Sequence, residues 1–229
     1  MSSEQPIHSF DHSLNANGLT VQQYVARPAT KAPAPALILI QEWWGLNPHI
    51  KDIANRLAGE GFITVAVDLY DGVTTKDPAE AGKLMASLDP AQALAKLKAT
   101  LDDLRADSNV TKVGVTGFCM GGVYTLLTAC NYQVDAAVPF YGIPEDLSCI
   151  ANLSCPVLFF GGAKDQWITV EKMERLRAAL QQNGKDGEVK IYEEADHAFF
   201  NDTRPEVYNA TDAADAWQRL LTFFRQHLQ

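Results

Sequence analysis

The sequence predicts a doubly wound α/β fold, a mostly parallel sheet flanked by helices. Three observations carry that prediction. Short continuous apolar runs alternate with helix-period stretches along most of the chain. One of those runs ends in Gly117-Phe118-Cys119-Met120-Gly121, and a helix-compatible segment follows at once. Acidic and histidine residues stand just past the ends of later runs, where open α/β sheets place their sites.

Each element has its own justification. Residues 19–27 alternate through Val21, Gln22, Gln23, Tyr24 and Val25, as an antiparallel or edge strand does. Residues 28–35, rich in Pro and Ala, form a connector. Residues 36–40 are continuously apolar, the mark of a strand buried on both faces, and lead into Gln41-Glu42-Trp43-Trp44-Gly45. A helix is expected over 49–61, with Ile50, Ile53, Ala54 and Leu57 on one face and Gly59 and Gly61 near its end. The next buried strand, 62–67, closes in Asp68-Leu69-Tyr70, and 71–78 is a loop.

Helices follow over 79–88 and 90–106, the second with Leu94, Leu97, Leu101 and Leu104 at helical spacing. Residues 112–116 form the strand that feeds Cys119, and 123–130 the helix after it. A strand over 134–140 turns at Tyr141-Gly142-Ile143-Pro144. Another, over 156–160, runs into Gly161-Gly162-Ala163-Lys164-Asp165. An amphipathic helix over 170–182, a short strand over 189–192 and a helix over 207–227 complete the chain. No internal repeat or second domain is visible, so residues 1–229 read as one domain with a substantial core.

Composition excludes several classes of partner. A net charge of −9 and an isoelectric point near 5.0 argue against nucleic acid and anionic membrane. No apolar run reaches membrane-spanning length, and residues 1–10 lack the layout of a signal peptide. The four cysteines, Cys119, Cys130, Cys149 and Cys155, are irregularly spaced. They suggest neither a disulfide framework nor a metal-binding pair, which fits a reducing, cytoplasmic setting.

The Gly-x-nucleophile-x-Gly motif has its meaning in a strand–turn–helix context, here with Cys119 where serine is more usual. The turn lifts the thiol from the sheet, and the helix start beside it favours a thiolate. Gly117 and Gly121 flank it because side chains there would meet the backbone. The bland alternative is a small buried Cys in a Gly-rich turn. The chain order Cys119, Asp165, His197 is the nucleophile–acid–histidine order of α/β-hydrolases.

His197 is expected to move the thiol proton and later to serve the leaving group and the attacking water. Asp165 would fix the imidazole tautomer, although an Asp after a strand is also a common cap. Asp135 begins its strand and Asp196 abuts His197, so both are weaker candidates for the acid. Asp68 is expected to fix the turn after its own strand.

The backbone N–H groups of Met120 and Trp43 are the expected oxyanion donors. Gly45 and Gly142 are expected to allow tight turns at the rim. Glu42, if it reaches Cys119, would oppose a second negative charge and hold the thiol proton at rest. The alternative for Glu42 is an exposed loop glutamate. Trp43, Trp44, Tyr70, Tyr141, Trp167 and Phe199 are core or rim residues that can also line a pocket for a small apolar substrate.

Taken together, Gln41-Glu42-x-x-Gly45, Asp68-Leu69-Tyr70, Gly117-Phe118-Cys119-Met120-Gly121-Gly122 and Phe140-Tyr141-Gly142 resemble the dienelactone hydrolases, or carboxymethylenebutenolidases. Gly161-Gly162-x-x-Asp165 and Glu193-Glu194-Ala195-Asp196-His197-x-Phe199 extend the resemblance from about Val21 to His227. It implies an eight-stranded α/β-hydrolase fold, a Cys119–Asp165–His197 triad, no cofactor or metal, and a monomer. It also implies that Glu42 holds the Cys119 proton at rest and takes it up when substrate binds. Bacterial members grip a substrate carboxylate with two arginines, and the matching positions here read Gly72 and Asn201. Arg204 and Lys76 lie nearby in sequence as substitutes.

The function expected is cysteine-dependent hydrolysis of small esters or lactones. A catalytically idle binding protein and a thiol sensor are the competing classes. The complete triad argues against the first, and the lack of a resolving Cys near Cys119 argues against the second.

Overall fold

The structure, a computed structural model, describes residues 6–16, 18–30 and 32–229. The first five residues of the N-terminal segment and Lys31 of the expected connector lie outside the described residues. Eight strands form a sheet in the order β1-β2-β4-β3-β5-β6-β7-β8. They are β1 (Ile7–Ala16), β2 (Leu19–Pro28), β3 (Ala34–Ile40), β4 (Ile63–Val67), β5 (Val110–Phe118), β6 (Ala136–Phe140), β7 (Val157–Gly162) and β8 (Gly187–Tyr192). The helices are α1 (Pro48–Gly59), α2 (Pro78–Ser87), α3 (Pro90–Ala106), α4 (Met120–Asn131), α5 (Val170–Gln182) and α6 (Ala210–Leu228). This is the α/β-hydrolase fold, mostly parallel with an antiparallel start at β1, β2 and β4.

The chain divides into two compact units, Met1–Gly114 with Leu228–Gln229, and Val115–His227. In the first unit β3 and β4 are parallel and wholly buried, as their almost unbroken apolar sequences require, with Thr64 of β4 the one polar side chain among them. Helices cover both faces of β2. Gln23 bonds Thr100 of α3 at 2.8 Å, and the next residue, Tyr24, bonds Asn55 of α1 at 3.0 Å. Successive strand residues point to opposite faces, so α1 and α3 lie on opposite sides.

Three of this unit's helices begin alike. Asn47-Pro48, Asp77-Pro78 and Asp89-Pro90 each set a side-chain cap and then a proline at the first turn. The cap satisfies an N–H that the helix leaves without an acceptor, and proline supplies a helical φ there at no hydrogen-bond cost.

Besides shifted element ends such as the start of α4 at Met120, two expectations change. Strand β1 was not foreseen, because only Leu14 of its ten residues is buried and no apolar alternation marks it. It is held by backbone pairing to β2 and by polar contacts such as Ser13 to Gln22 at 2.7 Å. Helix α6 starts at Ala210 instead of 207, where the turn of 198–209 gives way.

In the second unit β6, β7 and β8 run parallel. Phe118, Phe140, Phe160 and Phe200 pack beneath the strand ends, with Phe118–Phe140 and Phe140–Phe160 centroids 4.6 and 4.8 Å apart. All four are almost completely buried, so the carboxyl ends of β5–β7 rest on a rigid aromatic layer.

Candidate active site

Strand β5 ends at Phe118, α4 begins at Met120, and Cys119 alone makes the turn between them. Its φ of 56° and ψ of −117° are a conformation that L residues rarely hold. The N–H of Cys119 donates to the Phe140 carbonyl at 3.1 Å, and the N–H of Gly122 donates to the Cys119 carbonyl at 2.9 Å. The thiol is part-exposed. Met120 is the first residue of α4, where helix geometry offers its N–H no i−4 carbonyl.

Two glycines make room for this turn. A Cβ on Gly142 would sit 2.0 Å from the Cys119 carbonyl oxygen, and one on Gly122 would sit 2.4 Å from that of Phe140. Gly142 therefore permits close approach and does not supply a positive φ, a correction to its expected role as a turn glycine. Gly45 in the first unit is the true turn residue, with φ of 89°.

Asp165 and His197 meet from the ends of β7 and β8. His197 Nδ1 and Asp165 Oδ2 are 2.6 Å apart, and a side-chain hydrogen bond joins His197 to Cys119. Asp165 is buried, and its other oxygen, Oδ1, accepts from the N–H groups of Trp167 at 2.8 Å and Ile168 at 2.9 Å. The cap and the brace are thus the same side chain: one oxygen fixes the following turn while the other holds the imidazole. Asp196 is exposed.

Burial works against charge on His197. The hydrogen bonds to Asp165 and Cys119, and the field of both groups, outweigh it and push the imidazole up to about 10.

The ring is also wedged by aromatics. Tyr141 meets it edge-on at 5.1 Å and Trp167 at 4.8 Å, while Phe199 stands behind Tyr141 at 5.7 Å. Tyr141 and Phe199 are fully buried and act as supports, whereas Trp167 is 64% exposed and offers the open aromatic surface. Ala198, next to His197, has φ of 63°, and Tyr141 has φ of 35°. With Cys119 these are three of the four non-glycine positive-φ residues among the described residues. Each costs roughly 1–3 kcal/mol, so backbone strain is concentrated around one imidazole. Unlike the turn at Cys119, the strained positions Tyr141 and Ala198 and the Gly122 approach carry no sequence signal beyond neighbouring glycines.

Asn201 is buried within its own turn, where its Oδ1 accepts from the Thr203 N–H at 3.1 Å and the Thr203 hydroxyl at 2.6 Å. Arg204 is ion-paired with Glu206 at 2.8 Å.

In the first unit, Glu42 follows β3 and is 1% exposed, which removes the reading as an exposed loop glutamate. Neighbouring Gln41 accepts from the Leu69 N–H at 3.4 Å. Trp43 is half-buried and packs edge-on against buried Trp44 at 4.9 Å. Asp68 accepts from the Tyr70 N–H at 2.8 Å and the Gly72 N–H at 2.6 Å, so it fixes its turn as expected. Tyr70 is buried, Gly72 is exposed with φ of 92°, and Lys76 is exposed. Lys96, buried on α3, reaches Asp71 at 2.6 Å and ties down the same loop. An open cleft of about 440 Å³ lies at the amino ends of β3 and β5, and none of the expected site residues lines it.

Comparison with known proteins places these features. The model of the "Dienelactone hydrolase family" matches residues 21–228. "Protein usf" of Aquifex pyrophilus is 37% identical over 93% of this chain and 96% of its own. A "Putative carboxymethylenebutenolidase" of Aquifex aeolicus is 34% identical, again over 93% of this chain and 96% of its own. The crystal structure of a "Putative Dienelactone Hydrolase" from Klebsiella pneumoniae superposes with a TM-score of 0.90. It shares 34% identity and covers 97% of this chain and 100% of the other.

Proposed function

The chain belongs to the dienelactone hydrolase family and hydrolyses ester or lactone bonds, and from that premise we propose that hydrolysis runs through an acyl-thioester on Cys119. The observation that supports this most is His197, held by Asp165 on one side and hydrogen-bonded to Cys119 on the other. In this reading the attacking state, reached from the thiol that Glu42 guards at rest, has a thiolate beside the imidazolium. The Cys119 sulfur attacks the acyl carbon, and the oxyanion takes hydrogen bonds from the N–H of Met120 and, by family resemblance, of Trp43. The C–O bond breaks, and the leaving alkoxide takes the His197 proton. The now neutral imidazole accepts a proton from water, hydroxide attacks the thioester, and the C–S bond breaks to restore the starting pair.

Asp165 keeps Nδ1 protonated throughout, so the other ring nitrogen faces the chemistry. Glu42, by the same resemblance, is the second acid–base group of the thiol, and it is buried. The acidic balance and sparse cysteines fit a cytoplasmic protein working away from nucleic acid and membranes, and the resemblance implies a monomer.

A chromogenic ester tests the reading. Wild type should release a burst of leaving group equal to the enzyme present, with the acyl mass on the Cys119 peptide. Cys119→Ala should fold and lose turnover by orders of magnitude, and Glu42→Gln should alter the alkylation rate of resting Cys119. Near-wild-type turnover in Cys119→Ala would remove the nucleophile.

The substrate class we infer is neutral. A buried carboxylate needs charge-assisted hydrogen bonds, best from a guanidinium. Gly72 has no side chain, Asn201 is engaged in its own turn, and Arg204 is paired with Glu206. Trp167 instead presents an apolar face beside His197. Neutral esters should be hydrolysed at least as well as carboxylate-bearing ones with the same leaving group, compared by kcat/KM. A hundredfold preference for the anion, nearly 3 kcal/mol of transition-state binding, would reverse the assignment.

A further inference from the structure

The loops that carry Asp165 and His197 are laced together before either side chain is reached. Strands β7 and β8 pair in parallel with Gly162 opposite Tyr192, where both strands end. Each strand then folds into a four-residue turn. The Asp165 N–H donates to the Gly162 carbonyl at 3.2 Å, and the Ala195 N–H donates to the Tyr192 carbonyl at 3.3 Å. Two further bonds cross between the turns. The Ala163 N–H donates to the Tyr192 carbonyl at 2.8 Å, and the Lys164 N–H donates to the Ala195 carbonyl at 3.0 Å. An exposed Lys164–Glu194 ion pair spans the same turns from outside.

The turns meet at Gly162. A Cβ built there would lie 2.2 Å from the Ala195 carbonyl oxygen, 2.6 Å from the carbonyl carbon and 3.0 Å from the Ala195 Cβ. Gly162 has no positive φ, so what it supplies is room and not backbone freedom. Both residues are buried, and the nearest obstacle is a backbone carbonyl held by the Lys164 N–H, which no side-chain rotation can move aside.

We propose that Gly162 is a positioning residue for the triad: its bare α-carbon lets the Ala195 turn close on the Asp165 turn, and that spacing sets the Asp165–His197 hydrogen bond. Asp165 is the last residue of one turn, and His197 stands two residues past the end of the other. Their 2.6 Å separation therefore follows how closely the turns approach. An added methyl forces the turns apart by about 1 Å, enough to take this bond out of hydrogen-bond range. This role rests on the triad reading above, yet the state of the imidazole is measured without turnover, so the two can fail separately.

The test compares Gly162→Ala with Gly161→Ala, its neighbour on the same strand. A Cβ on Gly161 would also be crowded, 2.3 Å from the Met173 sulfur, but that is a flexible side chain of α5 and not the histidine turn. Gly162→Ala should lower kcat on a chromogenic ester by roughly a hundredfold, with KM within a few-fold. Nitrogen resonances of His197 should show its titration falling from about 10 toward 6.5 as the Asp165 bond is lost. Gly161→Ala should keep kcat within a few-fold and titrate like wild type. Wild-type kcat and titration in Gly162→Ala would overturn the role. Equal changes in Gly161→Ala would overturn it too, since they would trace the effect to crowding of β7. If Gly162→Ala does not fold, amide hydrogen exchange of the wild-type chain decides. The Ala163 and Lys164 amides should exchange as slowly as those of Phe159 and Phe160 within β7. Fast exchange at Lys164 would show turns that are not held together, and the role would fall.

Discussion

Asp68 and Asp165 make a controlled comparison. Each follows a buried parallel strand, each is 4% exposed, and each accepts two backbone N–H groups from the residues just after it. They differ in how those bonds are shared out. Asp68 takes one with each oxygen and has both committed to its own loop. Asp165 takes both with Oδ1 and leaves Oδ2 for His197. A buried carboxylate at a strand end becomes a chemical group when one oxygen is not needed by the fold. Burial or position alone does not distinguish them.

The comparison is sharpest when the same substitution is made at both sites. Asp165→Asn should reduce kcat by roughly a thousandfold or more, since the amide offers an N–H where the ring's own N–H must be accepted. The fold should survive, because the amide oxygen still reaches Trp167 and Ile168. Asp68→Asn should leave kcat within a few-fold and change stability by about 1–2 kcal/mol, the worth of one altered backbone acceptor. Equal kinetic losses at the two sites would break the distinction.

The smallest effect expected is in the pH dependence of Asp68. Burial raises its carboxyl above the ordinary 3.8 even though the Tyr70 and Gly72 N–H groups pull it down. Ionisation is therefore less favourable in the folded chain than in the unfolded one. That penalty is present above the folded value and relieved as pH falls through it. Denaturant midpoints should show wild type gaining on Asp68→Asn in mild acid. A difference that stays flat with pH would contradict the assignment.

Much of this was legible in the sequence. The continuous apolar runs at 36–40 and 156–160 announce buried parallel strands, and the order of Cys119, Asp165 and His197 past successive strands gives the triad arrangement. Strand β1 was not legible, because an exposed strand held by backbone pairing needs no apolar pattern. The close approaches at Gly122 and Gly142 were not legible as such: a glycine required for contact looks like one required for a turn. The sharing of the Asp165 oxygens was hidden for a similar reason, since capping and bracing both ask for an Asp after a strand.

The central claim is that the free oxygen of Asp165, together with Cys119, holds His197 as an imidazolium. A histidine raised in this way stabilises the fold fully below its unfolded value near 6.5, and that stabilisation is lost as pH rises through the folded one. Nuclear magnetic resonance of the His197 ring nitrogens measures this directly in the resting enzyme. The account predicts both nitrogens protonated at pH 8, titration near 10, and a large downward shift in Asp165→Asn. A neutral ring at pH 8, titrating near 6.5 and indifferent to Asp165→Asn, would contradict it.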